Sequence, residues 1–296
     1  MKYLVRTLYL STFCFLTAGV SSLFAQAYVF RVLGVSGSIR VKSGQQEHPL
    51  KPGARLENGQ ALILEKGYCG LVHSTGKTLE LKTAGTFSVD ELSKKIAGTP
   101  KARVTDKYLD YVMGQLSKAE TDEQDIQVRK ITGSVSRGVG QKSDVTTAKV
   151  LVFRRNNVMP GPYLLRWEPV EGAKSYIVNL SDRNDEVIFS KETNETSMEL
   201  DFGRIPGQSP DSYNLSVLAP GKHSGEERKY QFHVKAKEDL GLTDEMSPAG
   251  QMLNGILCEE KGYFLDALRY YETAAKLEPE VPAYQEAQMH LKLNLE

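Results

Sequence analysis

Three observations predict a mainly β, multidomain chain that ends in helices. Glycine-punctuated runs of β-branched residues fill 28–90, a second set of regularly spaced strand signals fills 149–234, and the apolar pattern switches to helical spacing after Pro248. The expected architecture is a small glycine-turned all-β domain, a β-sandwich, and a C-terminal helical hairpin plus capping helix.

The N-terminus reads as a basic start, Met1–Arg6, then an apolar run from Thr7 to Phe24, then the small residues Ala25 and Ala27. That order is a secretory signal peptide over 1–27, and the mature chain is expected to start near Tyr28. Cleavage leaves no transmembrane span; retention of the run as an anchor is the alternative. Cys14 follows Phe13 rather than a small residue, which argues against a lipid-anchor signal. The protein is therefore expected to be exported, to the periplasm or the outer membrane, with the cell surface as a further destination. Lys plus Arg and Asp plus Glu are each 37, so no net field draws the chain to nucleic acid. After cleavage only Cys69 and Cys258 remain, in different expected domains, and they read as buried or free thiols rather than a bridge.

Strand signals in the first domain (28–95) are 28–33, 38–41, 61–64, 70–73, 78–81 and 86–89. Turns are expected at Val35–Gly37, Ser43–Gly44, Pro52–Gly53, Asn58–Gly59, Lys66–Gly67, Thr75–Gly76 and Ala84–Gly85. The succession Val35–Val41, Leu50–Gly53, Leu56–Gly59 and Ser74–Leu81 resembles the periplasmic FecR-type β domain. Best-known members of that family hold a sigma factor through a cytoplasmic segment. Here only Met1–Arg6 precede the apolar run, so that regulatory role is not implied.

Residues 96–147 read as a helix and a linker. Tyr108, Tyr111, Val112 and Leu116 share one helical face, and the mixed-charge stretch 118–125 has no apolar face. So short a helix is marginal alone and is expected to pack on a β domain.

Seven strand signals follow over 148–237: 149–153, 163–167, 175–181, 187–190, 197–200, 212–219 and 228–234. Within them Leu165–Val178, with Trp167 and Tyr176, and then Tyr213–Val217 resemble the fibronectin type III domain, which implies an Ig/fibronectin-type β-sandwich. Trp167, the single tryptophan, fits core packing better than a sugar platform because of its strand position.

Ser247 and Pro248 form an N-cap and first-turn pair that opens the region 248–296. Met252, Leu253, Ile256 and Leu257 make one stripe, Gly262 breaks the helix, and Leu265, Leu268, Tyr271, Ala274 and Ala275 make the facing stripe. After Pro282, Tyr284, Ala287, Leu291 and Leu295 define a capping helix. Gly255, Ala267, Tyr271, Ala274 and Pro279 resemble the tetratricopeptide repeat, although Gln251 and Asn254 stand where that family prefers aromatic and leucine residues. A single repeat cannot bury its own faces, so it needs cover from the sandwich, a second copy or another protein.

Chemistry is sparse. The Gly133–Gly138 spacing of a phosphate loop lacks its lysine, with Val139 in that place. His48, His73, His223, His233 and His290 are scattered singly, without metal-ligand spacing. Cys69 with His73 is a weak nucleophile pair, and the carboxylates Glu259, Glu260, Asp182 and Asp185 fit helix surface and turn roles. No catalytic residue, metal or cofactor is expected. The sequence supports a non-enzymatic envelope scaffold that binds an envelope protein or itself through Tyr263, Phe264, Tyr270, Tyr271 and Tyr284. Binding of cell-wall polymer or polysaccharide by the β domains is the alternative, and an envelope hydrolase with an unrecognised site is a further one.

Overall fold

The structure, a computed structural model, describes residues 28–96, 104, 106–119, 146–205, 212–221, 228–236 and 240–295. The expected signal peptide, the mixed-charge stretch from Glu120 onward and the Gly133–Gly138 segment lie outside these residues. The architecture is mainly β, in several sheets, and closes with three C-terminal helices.

The first unit contains β1 (Phe30–Ser43), β2 (Gln46–Pro49), β3 (Arg55–Leu56), β4 (Gln60–His73), β5 (Thr78–Leu81) and β6 (Gly85–Ser88), followed by α1 (Val89–Ile96). Its sheet runs β2-β1-β4-β5, with β3 on β1 and β6 on β4. Two expected turns, at Val35–Gly37 and Lys66–Gly67, are not turns. Each lies inside one of the two long strands, β1 and β4, which pair from Phe30↔His73 to Ser43↔Gln60 with shifts after Val32 and Ser38. Gly37 and Gly67 face each other at positive φ, and a Cβ on either would sit 2.2 or 2.0 Å from the carbonyl oxygen of Lys66 or Ser36. These glycines permit a close crossing within a bent hairpin rather than reversing the chain. β2 was not foreseen because Gln46–Pro49 is exposed throughout and carries no apolar alternation.

Phe30, Val32, Leu56, Leu62, Leu64, Leu71, Val89 and Leu92 fill the core on one side of this sheet. On the opposite side Leu33, Tyr68 and Val72 belong to a different core, made with the helices. Phe30–Gly34 is consequently buried residue after residue, as expected for a strand covered on both faces.

The second unit is a β-sandwich. One sheet runs β11 (Val187–Thr193), β10 (Tyr176–Ser181), β13 (Ser212–Ala219), β14 (Tyr230–Val234) and β8 (Arg155–Val158), and the other pairs β12 (Ser197–Asp201) with β9 (Pro162–Arg166). The two sheets share a core that includes Trp167, Tyr176, Val178, Leu200, Leu215 and Phe232. The expected strand at 149–153 does not form a ladder. β7 (Thr146–Thr147) and Ala148 bond to β13, whereas Lys149 and Leu151 bond to Glu168 and Arg166 at the end of β9. The segment crosses from one sheet to the other with Ala148, Val150 and Val152 pointing inward, so its apolar alternation is real although neither sheet holds it as a strand. The chain then forms β8, which pairs in parallel with β14.

Four helices form the third unit: α2 (Asp106–Ala119), α3 (Pro248–Glu260), α4 (Phe264–Leu277) and α5 (Pro282–Leu295). They share one core, to which α2 contributes Leu109, Val112, Met113 and Leu116. Asp110 of α2 pairs with Arg31 and, at 2.9 Å, with Arg55, tying this helix to the first sheet. The cover that a lone helical repeat needs is supplied within the chain, mainly by the first sheet and α2. Of the covers expected from the sequence, the sandwich, a second copy or another protein, none was the first sheet, whose Leu33, Tyr68 and Val72 pack into the helical core.

Candidate functional site

Chemistry and recognition both have to be sought around the helices, because they join the two β units. Ser247 Oγ accepts from the Gly250 N–H at 3.1 Å, and Pro248 occupies the first turn of α3. From Pro248 to Cys258 every residue of this helix is buried, so it is an internal axle rather than a surface element. Gln251 and Asn254, the residues that depart from the repeat pattern, bind the chain leading into the helix. Asn254 Oδ1 accepts from Thr243 N at 2.8 Å and its Nδ2 donates to Thr243 O at 2.9 Å, while Gln251 Nε2 donates to Glu245 O at 3.0 Å. Gly255 leaves room for the ring of Tyr271, whose nearest atom would lie 2.3 Å from an added Cβ. The Tyr271 hydroxyl donates to Glu259 at 2.6 Å.

Tyr284 of α5 enters the first sheet. Gly34 and Gly70, cross-strand partners in β1 and β4, form a slot in which an added Cβ would lie 2.8 Å or 2.4 Å from the tyrosine. At the foot of the slot the hydroxyls of Tyr284 and Tyr68 are 3.0 Å apart, and Tyr68 donates to Glu80 at 2.8 Å. Glu80 also accepts from the Ala249 N–H at 2.9 Å, and Lys82 bridges Glu80 and Glu278. Burial and the neighbouring Glu80 push both phenols well above their ordinary range, so they act as neutral donors and acceptors.

The five aromatics expected to anchor a partner are therefore placed otherwise. Tyr263, Tyr271 and Tyr284 are buried in the helical core, and Phe264 and Tyr270 are half-buried against it. Phe264 instead meets Phe153 of the sandwich, with ring centroids 4.2 Å apart. Long aromatic residues on an amphipathic hairpin serve interior and interface alike, and here three of the five weld the chain to itself.

The joint with the sandwich combines apolar contacts with hydrogen bonds: Phe153 and Met159 pack against the helical core, and Leu265 packs against the sandwich core. Asn157 donates its backbone N–H to Gly262 O at 3.0 Å and its side-chain Nδ2 to Lys261 O at 2.7 Å. Asp266, in the first turn of α4 and 1 % exposed, accepts from the Tyr163 hydroxyl at 2.7 Å and from Met159 N at 3.3 Å. Burial pushes this carboxyl up to about 6, against the opposing pull of Tyr163, Met159 and Arg269.

An open groove lies on the other side of the helices, between α4 and α5. It measures about 460 Å³ and is lined by Glu272, Ala275, Lys276, Gln285, Gln288, Met289 and Lys292. Met289 is 55 % exposed, and Leu277 and Leu293 are also exposed on the same two helices. Glu272 holds Lys292 at 3.1 Å across the groove.

The remaining candidates have structural placements. Trp167 is buried and meets Tyr176 edge to face at 5.6 Å. Cys69 and Cys258 are buried and unbridged, and burial pushes Cys69 up to about 12, away from thiolate reactivity. His73 is bonded to Thr75 and Ser93. Asp182 Oδ1 accepts from Asn184 N and Glu186 N, the turn role expected of it. Among the described residues, no group of three or more His, Cys, Asp or Glu is placed to hold a metal, and no helix is long and apolar enough to cross a membrane. Neither a scan of protein-family models nor a search of curated proteins finds a match to this chain.

Proposed function

We propose that this is a non-enzymatic, exported assembly protein whose docking face for a protein partner is the groove between α4 and α5. The observation that carries the reading is this groove, with Met289, Leu277 and Leu293 exposed on the two helices that form it. A tetratricopeptide-like hairpin is supported by the Gly255–Tyr271 contact, the break at Gly262 and the stop before Pro279. A stack of such helices presents its outermost pair to whatever comes next, and a groove of this form suits an amphipathic helix of a partner. The buried aromatics fix the shape of the face, and Met289, Leu277 and Leu293 supply the contact surface.

Removing the helices is an unsuitable test, because their core includes Leu33, Tyr68 and Val72 of the first sheet. A photo-crosslinking residue at Met289 in the native host is expected to capture a specific protein that is lost in an L293D background. The same residue at Leu164, exposed on the sandwich, is expected not to capture it. Capture of one protein from both sites, or of none from Met289, overturns the reading.

A further inference from the structure

Asp266 is a buried acid at a joint between two units, and its surroundings satisfy it in either protonation state. When it is ionised, the Tyr163 hydroxyl donates to Oδ1 at 2.7 Å and Met159 N–H donates to Oδ2 at 3.3 Å. When it is neutral, the carboxyl proton goes to the Tyr163 oxygen, and the Tyr163 proton turns to the Met159 carbonyl, 3.1 Å away. The neutral acid thereby keeps its place and gains a donor role, whereas the anion must be held in an interior site.

The groups that face it do little to offset that charge. On α4 itself Arg269 is 3.9 Å distant and its side chain is 63 % exposed, and its guanidinium lies 5.7 Å from the centre of the Tyr163 ring. Tyr270 on the same helix and Cys258 on α3 are both affected by the Asp266 charge and are neutral at ordinary pH, since their own protons are held more tightly than usual. Lys261, in the turn between α3 and α4, acts on Cys258. From the sandwich come Tyr163 on β9 and the backbone of Met159 after β8.

We propose that Asp266 is a proton-operated latch between the helical unit and the sandwich, tight when its carboxyl is neutral and looser when it is ionised. The sign follows from linkage. The docked carboxyl titrates near 6, whereas a solvated one titrates near 3.8, so the docked form holds an extra proton between these values. Docking is strongest below 3.8, weakens as pH rises through this window, and is insensitive to this group above about 6. The latch turns on one carboxylate and one phenol and does not depend on the partner groove.

Two measurements on the full chain test it. The carboxyl carbon of Asp266, followed by NMR, is expected to titrate near 6, and a midpoint below about 4.5 overturns the proposal. Amide exchange at Asn157, whose N–H crosses the joint to Gly262 O at 3.0 Å, is expected, once corrected for its intrinsic pH dependence, to slow by about tenfold between about pH 7 and about pH 5. D266N, which keeps the shape of the neutral acid, is expected to show slow exchange at both values. Persistence of the tenfold change in D266N, or a flat wild-type response, sinks the latch. If D266N does not fold, Y163F serves instead. It removes both the donor to the anion and the acceptor of the neutral acid's proton; the bond to the anion is the stronger of the two, so the carboxyl midpoint is expected to rise, and an unmoved midpoint overturns the proposal.

Discussion

The helical unit meets its two β neighbours in different ways. Against the first sheet it shares one continuous apolar core, with Leu33, Tyr68 and Val72 packed among helix residues and Tyr284 seated between Gly34 and Gly70. Against the sandwich it makes the Phe153–Phe264 contact, the Asn157 hydrogen bonds and the buried Asp266–Tyr163 pair, while the sandwich keeps a core of its own. A shared core cannot open without exposing apolar surface on both sides. A joint of a few apolar contacts, from Phe153, Met159, Phe264 and Leu265, together with hydrogen bonds exposes less apolar surface on opening and can exchange those bonds for water, at a smaller net cost. The first sheet and the helices are thus expected to unfold together, and the sandwich to unfold as a separate cooperative body.

The largest expected effect comes from emptying the slot. Tyr284→Ala removes a fully buried ring and leaves the Gly34–Gly70 cavity open, which is expected to cost about 3–5 kcal/mol. Urea denaturation followed by a probe in the first sheet and one in the helices is expected to show both shifting together. A shift confined to the helices would show that the first sheet and the helices do not unfold as one body.

Filling the slot from the sheet side is the converse test. In Gly70→Val the new Cβ would lie 2.4 Å from the Tyr284 hydroxyl and 2.9 Å from that of Tyr68, so α5 must be pushed away. Overpacking of this kind is expected to cost about 1–3 kcal/mol, with the sandwich transition, reported by Trp167 fluorescence, unmoved. At the other joint, Asn157→Ala deletes one side-chain hydrogen bond to Lys261 O and is expected to cost about 1 kcal/mol. Its signature is faster amide exchange at Gly262 and Tyr263, with Tyr284 still protected.

How much of this was legible in the residues depends on what each residue had to do. Strands such as β10 and β13, and the helices after Pro248, follow apolar periodicity and were readable from it. Glycine was ambiguous: Gly37 and Gly67 have the same neighbours as a turn, and only the pairing of β1 with β4 shows that they relieve a crossing. Tyr271 and Tyr284 carry no mark that distinguishes an anchor for a partner from a bolt inside the chain, because that depends on which surface arrives, a tertiary fact. Asp266 was unreadable for a different reason. An acid in the first turn of a helix is favoured there by the helix dipole whether exposed or buried, so its position alone does not announce a buried joint.

The smallest expected effect separates stability from recognition. Met289 is more than half exposed and lies on the groove rather than in any of the three cores, so Met289→Asp is expected to change the unfolding free energy by no more than about 0.5 kcal/mol. The same substitution places a charge in the centre of the proposed docking face, where an apolar helix of a partner would have to desolvate it. Capture by a photo-crosslinking residue moved to Gln285 is therefore expected to fail, with the melting curve unchanged. A variant that both melts earlier and loses its partner would show that Met289 supports the α4–α5 packing, and the groove would lose its claim to be a surface separate from the core.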